Sequence, residues 1–306
     1  MNNTHRFLML LSLIILSGVL IKSVNKDSIT DLVKVDPSAK NTSEFYEIKA
    51  LKLPKHMDFS GESVPLQEAD IHERIDRELL VNTYWQSNGL LMFKRAHKYF
   101  PVIEPILARN GIPDDFKYLA LIESGLQNVT SPAGAKGFWQ IMKATGREHG
   151  LEINENVDER YDLIKSTEVA CRYLNDSKER FGSWTLAAAA YNAGNRRISE
   201  SLDKQLVNSY YDLLLSDETA RYLPRILAVK EILSNPKKYG FSFETDDLYQ
   251  PTATLTVQVD TAITNIARFA KNQGMTYKDF KRLNPWLREP HLNNKSRKEY
   301  EILVVE

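Results

Sequence analysis

The fold class this sequence predicts is mainly α: a helical domain followed by a small α+β module. Three observations predict it. Apolar residues recur at helical spacing from Ala69 onward, with Ile71, Ile75, Leu79 and Leu80 on one face and Tyr84, Leu90, Leu91 and Phe93 continuing the supply. Breakers separate the periodic runs at Gly111-Ile112-Pro113, Gly125, Gly150, Gly182, Gly194 and Asn235-Pro236. After Tyr239 the texture changes, and Ala253-Thr-Leu-Thr-Val257-Gln-Val259 alternates as a strand does.

The chain begins Met1-Asn-Asn-Thr-His5-Arg6, followed by an apolar run from Phe7 to Ile21 and then Lys22. A basic residue ahead of such a run is an export signal, so residues 1–24 are expected to be a signal peptide or a signal anchor. The run is shorter than the ~20 residues of a spanning helix, yet no small-x-small cleavage site follows it. Cleavage and membrane anchoring through this segment therefore both stay open, and the expected location is the periplasm or cell envelope.

Residues 25–64 mix Lys, Asp, Ser, Asn and Pro without a sustained period and are expected to be a linker, with short extended pieces near 48–53. The helical domain is expected over 65–240, with helices across 99–110, 114–124, 141–149, 166–181, 184–192 and 218–233. The module is expected over 251–306. It reads as a strand, helices across 262–272 and 277–283, and a closing strand at Glu301-Ile302-Leu-Val304-Val.

At 306 residues with 42% hydrophobic content, the chain can bury one substantial core and a small second one. The net charge of +0 gives no support to nucleic-acid binding, so the expected ligand is neutral overall or only locally charged. Cys171 is the single cysteine, which rules out an intramolecular disulfide and a thiolate metal cluster. The histidines show no helical pairing typical of metal ligands, so neither a metal nor another cofactor is expected.

The most informative segment is Tyr118-Leu-Ala-Leu-Ile-Glu123-Ser124-Gly125, where a carboxylate sits at the end of an apolar helix just before a glycine that stops it. The helix C-terminus carries partial negative charge and apolar neighbours withhold water, so both effects favour the protonated acid. Such an acid can protonate the leaving oxygen in glycoside cleavage. The bland reading of a glutamate at a helix end is a solvated one.

Further blocks follow in order: Ser131-Pro-Ala-Gly134-Ala-Lys-Gly137-Phe138-Trp139-Gln140, then Ala187 to Ala190 leading into Tyr191-Asn192, then Glu218-Thr219-Ala-Arg221-Tyr222-Leu-Pro224. This order resembles the catalytic domain of the soluble-type lytic transglycosylases, glycoside hydrolase family 23. With Phe59-Ser-Gly61-Glu62-Ser-Val-Pro65 and Ile112-Pro113-Asp-Asp115-Phe-Lys-Tyr118, the resemblance is to the membrane-bound lytic transglycosylase D branch, from about Asp58 to the C-terminus. The C-terminal segment resembles a degenerate LysM module: Leu283-Asn284-Pro285-Trp286 matches its signature turn, while Val259-Asp260 replaces the usual Gly-Asp.

The resemblance implies a goose-lysozyme-like fold, peptidoglycan glycan strands as partner, and one glutamate, Glu123, acting twice. It protonates the bond between N-acetylmuramic acid and N-acetylglucosamine, then deprotonates the C6 hydroxyl that attacks C1. The same resemblance makes Ser124, Gln140, Tyr191, Asn192, Tyr222 and Trp139 substrate-site candidates. Ser124 would contact substrate, fix the glutamate, or simply bond back to a helix carbonyl. Gln140 offers the donor and acceptor an N-acetyl group needs. Trp139 would stack on a sugar or belong to the core. The late tyrosine, Tyr222, would face the glutamate. Two other functions stay open: a hydrolytic muramidase, for which Asp158 or Glu159 would position water, and a catalytically idle wall-binding protein that keeps the cleft.

Overall fold

The apolar stripe beginning at Ile71 folds as helix α1 (Ala69–Tyr84), which buries Ile71, Ile75 and Leu79, and also Glu78 and Asn82. The structure is a computed structural model that describes residues 48–306. The signal segment expected over 1–24 and the first part of the expected linker lie outside the described residues.

After a break at Trp85, helix α2 (Gln86–Arg109) joins the helical register read through Leu90, Leu91 and Phe93 to the helix expected over 99–110 in a single element. It carries Pro101 and Pro105 in its interior. Both face solvent, where water satisfies the carbonyls whose N–H partners proline removes. A short 3₁₀ turn (Asp114–Phe116) leads into α3 (Lys117–Ser124), which Gly125 ends in the left-handed conformation, its N–H donating to Leu121 O at 2.8 Å. Then follow α4 (Lys143–Glu148), α5 (Leu163–Phe181), α6 (Trp184–Ala193), α7 (Asn195–Gln205), α8 (Asp217–Ala220) and α9 (Tyr222–Ser234). The single helix expected over 218–233 is thus two, broken at Arg221.

Helix α6 is the centre of the bundle. Ala187 to Ala190 are all 0% exposed, and their small side chains let α5, α7 and α9 approach it closely. Around it, α1 packs on α9, α2 on α5, and α3 against both α2 and α9.

The linker expectation is corrected over its described part. Leu51, Leu53 and Met57 pack on the core, and strands β1 (Asp58–Phe59) and β2 (Glu62–Ser63) form a hairpin. Phe59 is 0% exposed and meets Phe116 edge-on at 5.1 Å, so this segment buries too much apolar surface to be a tether. The hairpin also caps the central helix. Glu62 accepts hydrogen bonds from the Trp184 and Thr185 N–H groups and from the Ser183 hydroxyl, at the positive end of α6. Burial pushes its carboxyl up, but these bonds outweigh it and hold the group below its usual range.

The module is a two-stranded antiparallel sheet with two helices between the strands: β3 (Thr254–Val259), α10 (Ile266–Asn272), α11 (Tyr277–Leu283) and β4 (Tyr300–Val305), in register Thr254↔Val305 to Val259↔Tyr300. Residues 49–306 form one compact unit. Backbone bonds join the module to the segment at 156–158: Asp158 N to Trp286 O and Arg288 N to Asn156 O, both at 2.9 Å. Val157 and Tyr161 enter the module's apolar core beside Trp286 and Tyr300, whose rings stack at 5.6 Å.

The loop that carries Trp139 is fixed by a close approach. Gly137 has φ +82°, and a Cβ there would lie 1.9 Å from the Arg160 carbonyl oxygen. Gly134 has φ +87° with open space around it. Gly137→Ala should therefore lose roughly 2–4 kcal/mol of stability in chemical denaturation, against roughly 1 for Gly134→Ala. Equal losses would show that backbone conformation alone, and not the approach to Arg160, sets the requirement.

Candidate active site

Helix α3 ends in Ile122-Glu123-Ser124, and the left-handed turn at Gly125 aims its last residues into a cleft of about 410 Å³. Glu123 lines this cleft with Ser124, Gln127 and Arg95, and the far wall comes from Glu78 of α1, Trp85 just after it, Arg221 just before α9 and Arg225 of α9. From the first residue of α9, the Tyr222 hydroxyl donates a hydrogen bond to Glu123 Oε1.

Burial is the largest influence on the Glu123 carboxyl, pushing it from 4.5 up to about 7. The Tyr222 hydrogen bond and the positive charge of Arg225 pull it partly back, and the charge of Glu218 adds to the rise. Tyr222 is itself 3% exposed, and burial and the neighbouring glutamate raise its phenol far above the ordinary value. It therefore stays a donor throughout the neutral range, and with Oε1 occupied, Oε2 is the atom left to hold a proton.

The other predicted residues divide. Ser124 lines the cleft, but its hydroxyl bonds to Phe138 O at 2.8 Å and Ala120 O at 3.2 Å, tying the end of α3 to the loop. Tyr191 donates to the Trp139 carbonyl at 2.7 Å, and its buried phenol is raised first by burial and then by the charge of Glu123. Asn192 Oδ1 accepts from Thr219 at 2.8 Å, joining α6 to α8. The Gln140 amide nitrogen is spent on the carbonyls of Gly137 (2.7 Å) and Val129 (3.2 Å).

Trp139 is corrected to the core. It is 0% exposed, and its indole N–H donates to Thr167 Oγ1 at 2.7 Å, so its face is closed to a sugar. Trp85 instead is 60% exposed and lines the cleft.

The residues that sequence reasoning missed form a buried ionic cluster in the cleft wall. Glu78 is 1% exposed, and its oxygens accept from Arg77 (2.6 Å), Arg221 (2.7 Å) and Arg225 (3.3 Å). Its signal was present: Glu78 falls on the stripe of Ile71, Ile75 and Leu79, where a charge needs a partner. Asp158 and Glu159 lie away from the cleft. Burial raises Asp158, but Arg160 and Lys136 outweigh it and hold the carboxyl below its usual value. Glu159 pairs with Lys165 and Lys298. Among the described residues, no group of three His, Cys, Asp or Glu side chains is placed to hold a metal ion.

Residues 101–211 match the family described as the transglycosylase SLT domain, and residues 255–306 match the soluble lytic transglycosylase C-terminal LysM-like domain. The helical stretch around Glu123 is thus similar to a transglycosylase SLT domain. Over 159 residues it is 34% identical to the membrane-bound lytic murein transglycosylase D of Escherichia coli, in both strain K12 and strain CFT073. Each match covers 50% of this chain and 35% of the relative, so the chain spans about a third of those proteins' length. A crystal structure of an inactive mutant of the lytic transglycosylase Slt from Pseudomonas aeruginosa aligns at 19% identity with a TM-score of 0.39, covering 50% of this chain and 26% of that one. The fold is mainly α, a helical bundle over the stretch that matches the SLT model and a small two-stranded module over the stretch that matches the LysM-like one.

A carboxyl raised by burial opposes folding once it must ionise. The folded state holds its proton up to about pH 7 while the unfolded chain releases it near 4.5, so stability falls as pH rises through that interval. Glu123→Gln should therefore be more stable than the parent at pH 8 by on the order of 2–3 kcal/mol and equal to it at pH 4. Urea unfolding at the two pH values measures this, and a variant no more stable at pH 8 would place Glu123 in solvent.

Proposed function

We propose that this chain is a peptidoglycan lytic transglycosylase that cleaves the bond from N-acetylmuramic acid to N-acetylglucosamine without water. The carrying observation is that the cleft holds one carboxyl free of ion pairs, Glu123, raised to about 7, while Glu78 has its oxygens taken by arginines. Glycosidases that use water or a covalent intermediate commonly need a second carboxylate. Internal attack does not, because a hydroxyl on the same sugar has a high effective concentration.

In this reading Glu123 Oε2 gives its proton to the glycosidic oxygen as the C1–O bond breaks. The departing sugar leaves with a free 4-hydroxyl, and the muramyl N-acetyl group shields the cation at C1. Glu123, now a carboxylate steadied by Tyr222 and Arg225, takes the proton of the C6 hydroxyl. The C6 oxygen bonds to C1, giving a 1,6-anhydromuramyl end and a glutamic acid ready for the next turnover. Trp85 offers an exposed aromatic face for a pyranose at the cleft mouth. Ser124, Tyr191, Asn192 and Gln140 hold the walls in place. Residues 65–240 would be the catalytic domain and 251–306 an accessory module. The apolar run of Phe7 to Ile21 and the membrane-bound naming of the E. coli relatives support a site of action in the cell envelope.

Digestion of purified sacculi in ¹⁸O-water, with mass spectrometry of the products, tests the reading. It expects unlabelled anhydromuramyl ends, whereas label at a reducing muramyl C1 would assign a muramidase. Glu123→Gln should lower turnover at least a thousandfold, toward the upper part of the ~10²–10⁴ a general acid contributes, because one group serves both steps. The parent's rate should fall as pH rises through about 7, where the acid loses its proton. A rate that stays flat from pH 6 to 9 would mean that Glu123 is not the acid.

A further inference from the structure

Beside the cleft lies a second hollow of about 620 Å³, walled by Arg95, Lys98, Tyr99, Gln127 and Asn128 on the helical domain and by Arg282 of the module. It shares Arg95 and Gln127 with the cleft that holds Glu123, so the two are neighbouring compartments of one groove. Three cations line it and no carboxylate does, in a chain whose net charge is +0. Among the described residues, Lys98 and Arg95 have no acidic partner. Arg95 donates only to the Gly125 carbonyl at 3.2 Å, and Arg282 meets only Asp279, at 3.9 Å. Burial raises the Tyr99 phenol, and the charges of Arg282 and Arg95 partly oppose that rise, while Lys98 Nζ lies 5.5 Å from the centre of its ring.

The module's docking brings Arg282 to this wall. Its core takes in Val157 and Tyr161 of the helical domain, and Lys298 pairs with Glu152 at 2.7 Å. We propose that this hollow is a carboxylate subsite that receives the acidic side groups of the stem peptide on a muramyl residue bound at Glu123, with the module's Arg282 completing it. The inference rests on the proposed function. A glycan backbone with neutral sugars offers nothing for two cations without an acidic partner and a third held only loosely by Asp279, whereas its peptide branches carry free carboxylates, and guanidinium matches carboxylate as a two-pronged donor. The module then acts as a wall that selects substrate.

The test compares the full chain on three substrates: glycan strands bearing stem peptides with free carboxylates, the same strands with those carboxylates chemically amidated, and strands stripped of peptide. Exposed charge pairs are modest, so kcat/KM should favour the free-carboxylate strands over the amidated ones by about three- to tenfold, less at high salt. Arg282→Ala and, separately, Lys98→Ala should each lower that preference at least threefold, chiefly through KM, with Arg282→Lys recovering part of it. Both positions are accessible from solvent, so folding is not at stake, and circular dichroism verifies it. Equal rates on free and amidated strands, or a preference that survives both alanine variants, would overturn the subsite while leaving the proposed reaction intact. No product from any of the three substrates would overturn the reaction and the subsite together.

Discussion

The structure turns on one buried carboxyl group and the hydroxyl that touches it. Glu123 sits where a helix ends, out of water and against Tyr222, in a place that disfavours its charge. Desolvation alone would hold the proton more tightly still and make the acid a poorer donor in the first step of an acid–base cycle. The Tyr222 hydrogen bond and the charge of Arg225 oppose that, and the balance falls near neutrality. A group poised there can both give and reclaim a proton, which is the property a single-residue mechanism requires.

Much of the remaining architecture keeps that balance. Glu78 neutralises Arg221 and Arg225, at the start of α9, from the opposite helix, and the arginines in turn stop Glu78 from being a bare buried charge. The hairpin at 58–63 caps the start of α6 through Glu62, while the far end of the same helix carries Tyr191 and Asn192. Ser124 fastens the end of α3 to Phe138, and Tyr191 fastens α6 to Trp139. The family's characteristic residues thus act largely on one another, holding α3, α6, α8 and the 129–141 loop in one arrangement around the carboxyl group.

How much of this was legible in the sequence depended on whether the signal was local. The stop at Gly125 and the apolar run before Glu123 were local, and they placed the acid at its helix end. Depth was not legible. Trp139 reads as a platform or as core with equal ease, and only its bond to Thr167 and its lack of exposure decide for the core. Pairing across the fold was also hidden, because Glu78 and Arg221 are 143 residues apart. Glu78 nonetheless left a trace as a charge on an apolar stripe. The segment from Leu51 to Val64 lacked any period and read as linker, yet Phe59 alone makes it part of the core. The role of Trp85 depends on a break between two helices that no glycine or proline marks.

The central claim is that burial, tempered by Tyr222, sets the acidity of Glu123. ¹³C NMR titration of the Glu123 side-chain carboxyl in the full chain reads that acidity directly, without substrate. The account predicts a midpoint near pH 7, well above the ordinary value of 4.5. A midpoint at 4 to 5, as for a solvated glutamate, would contradict it.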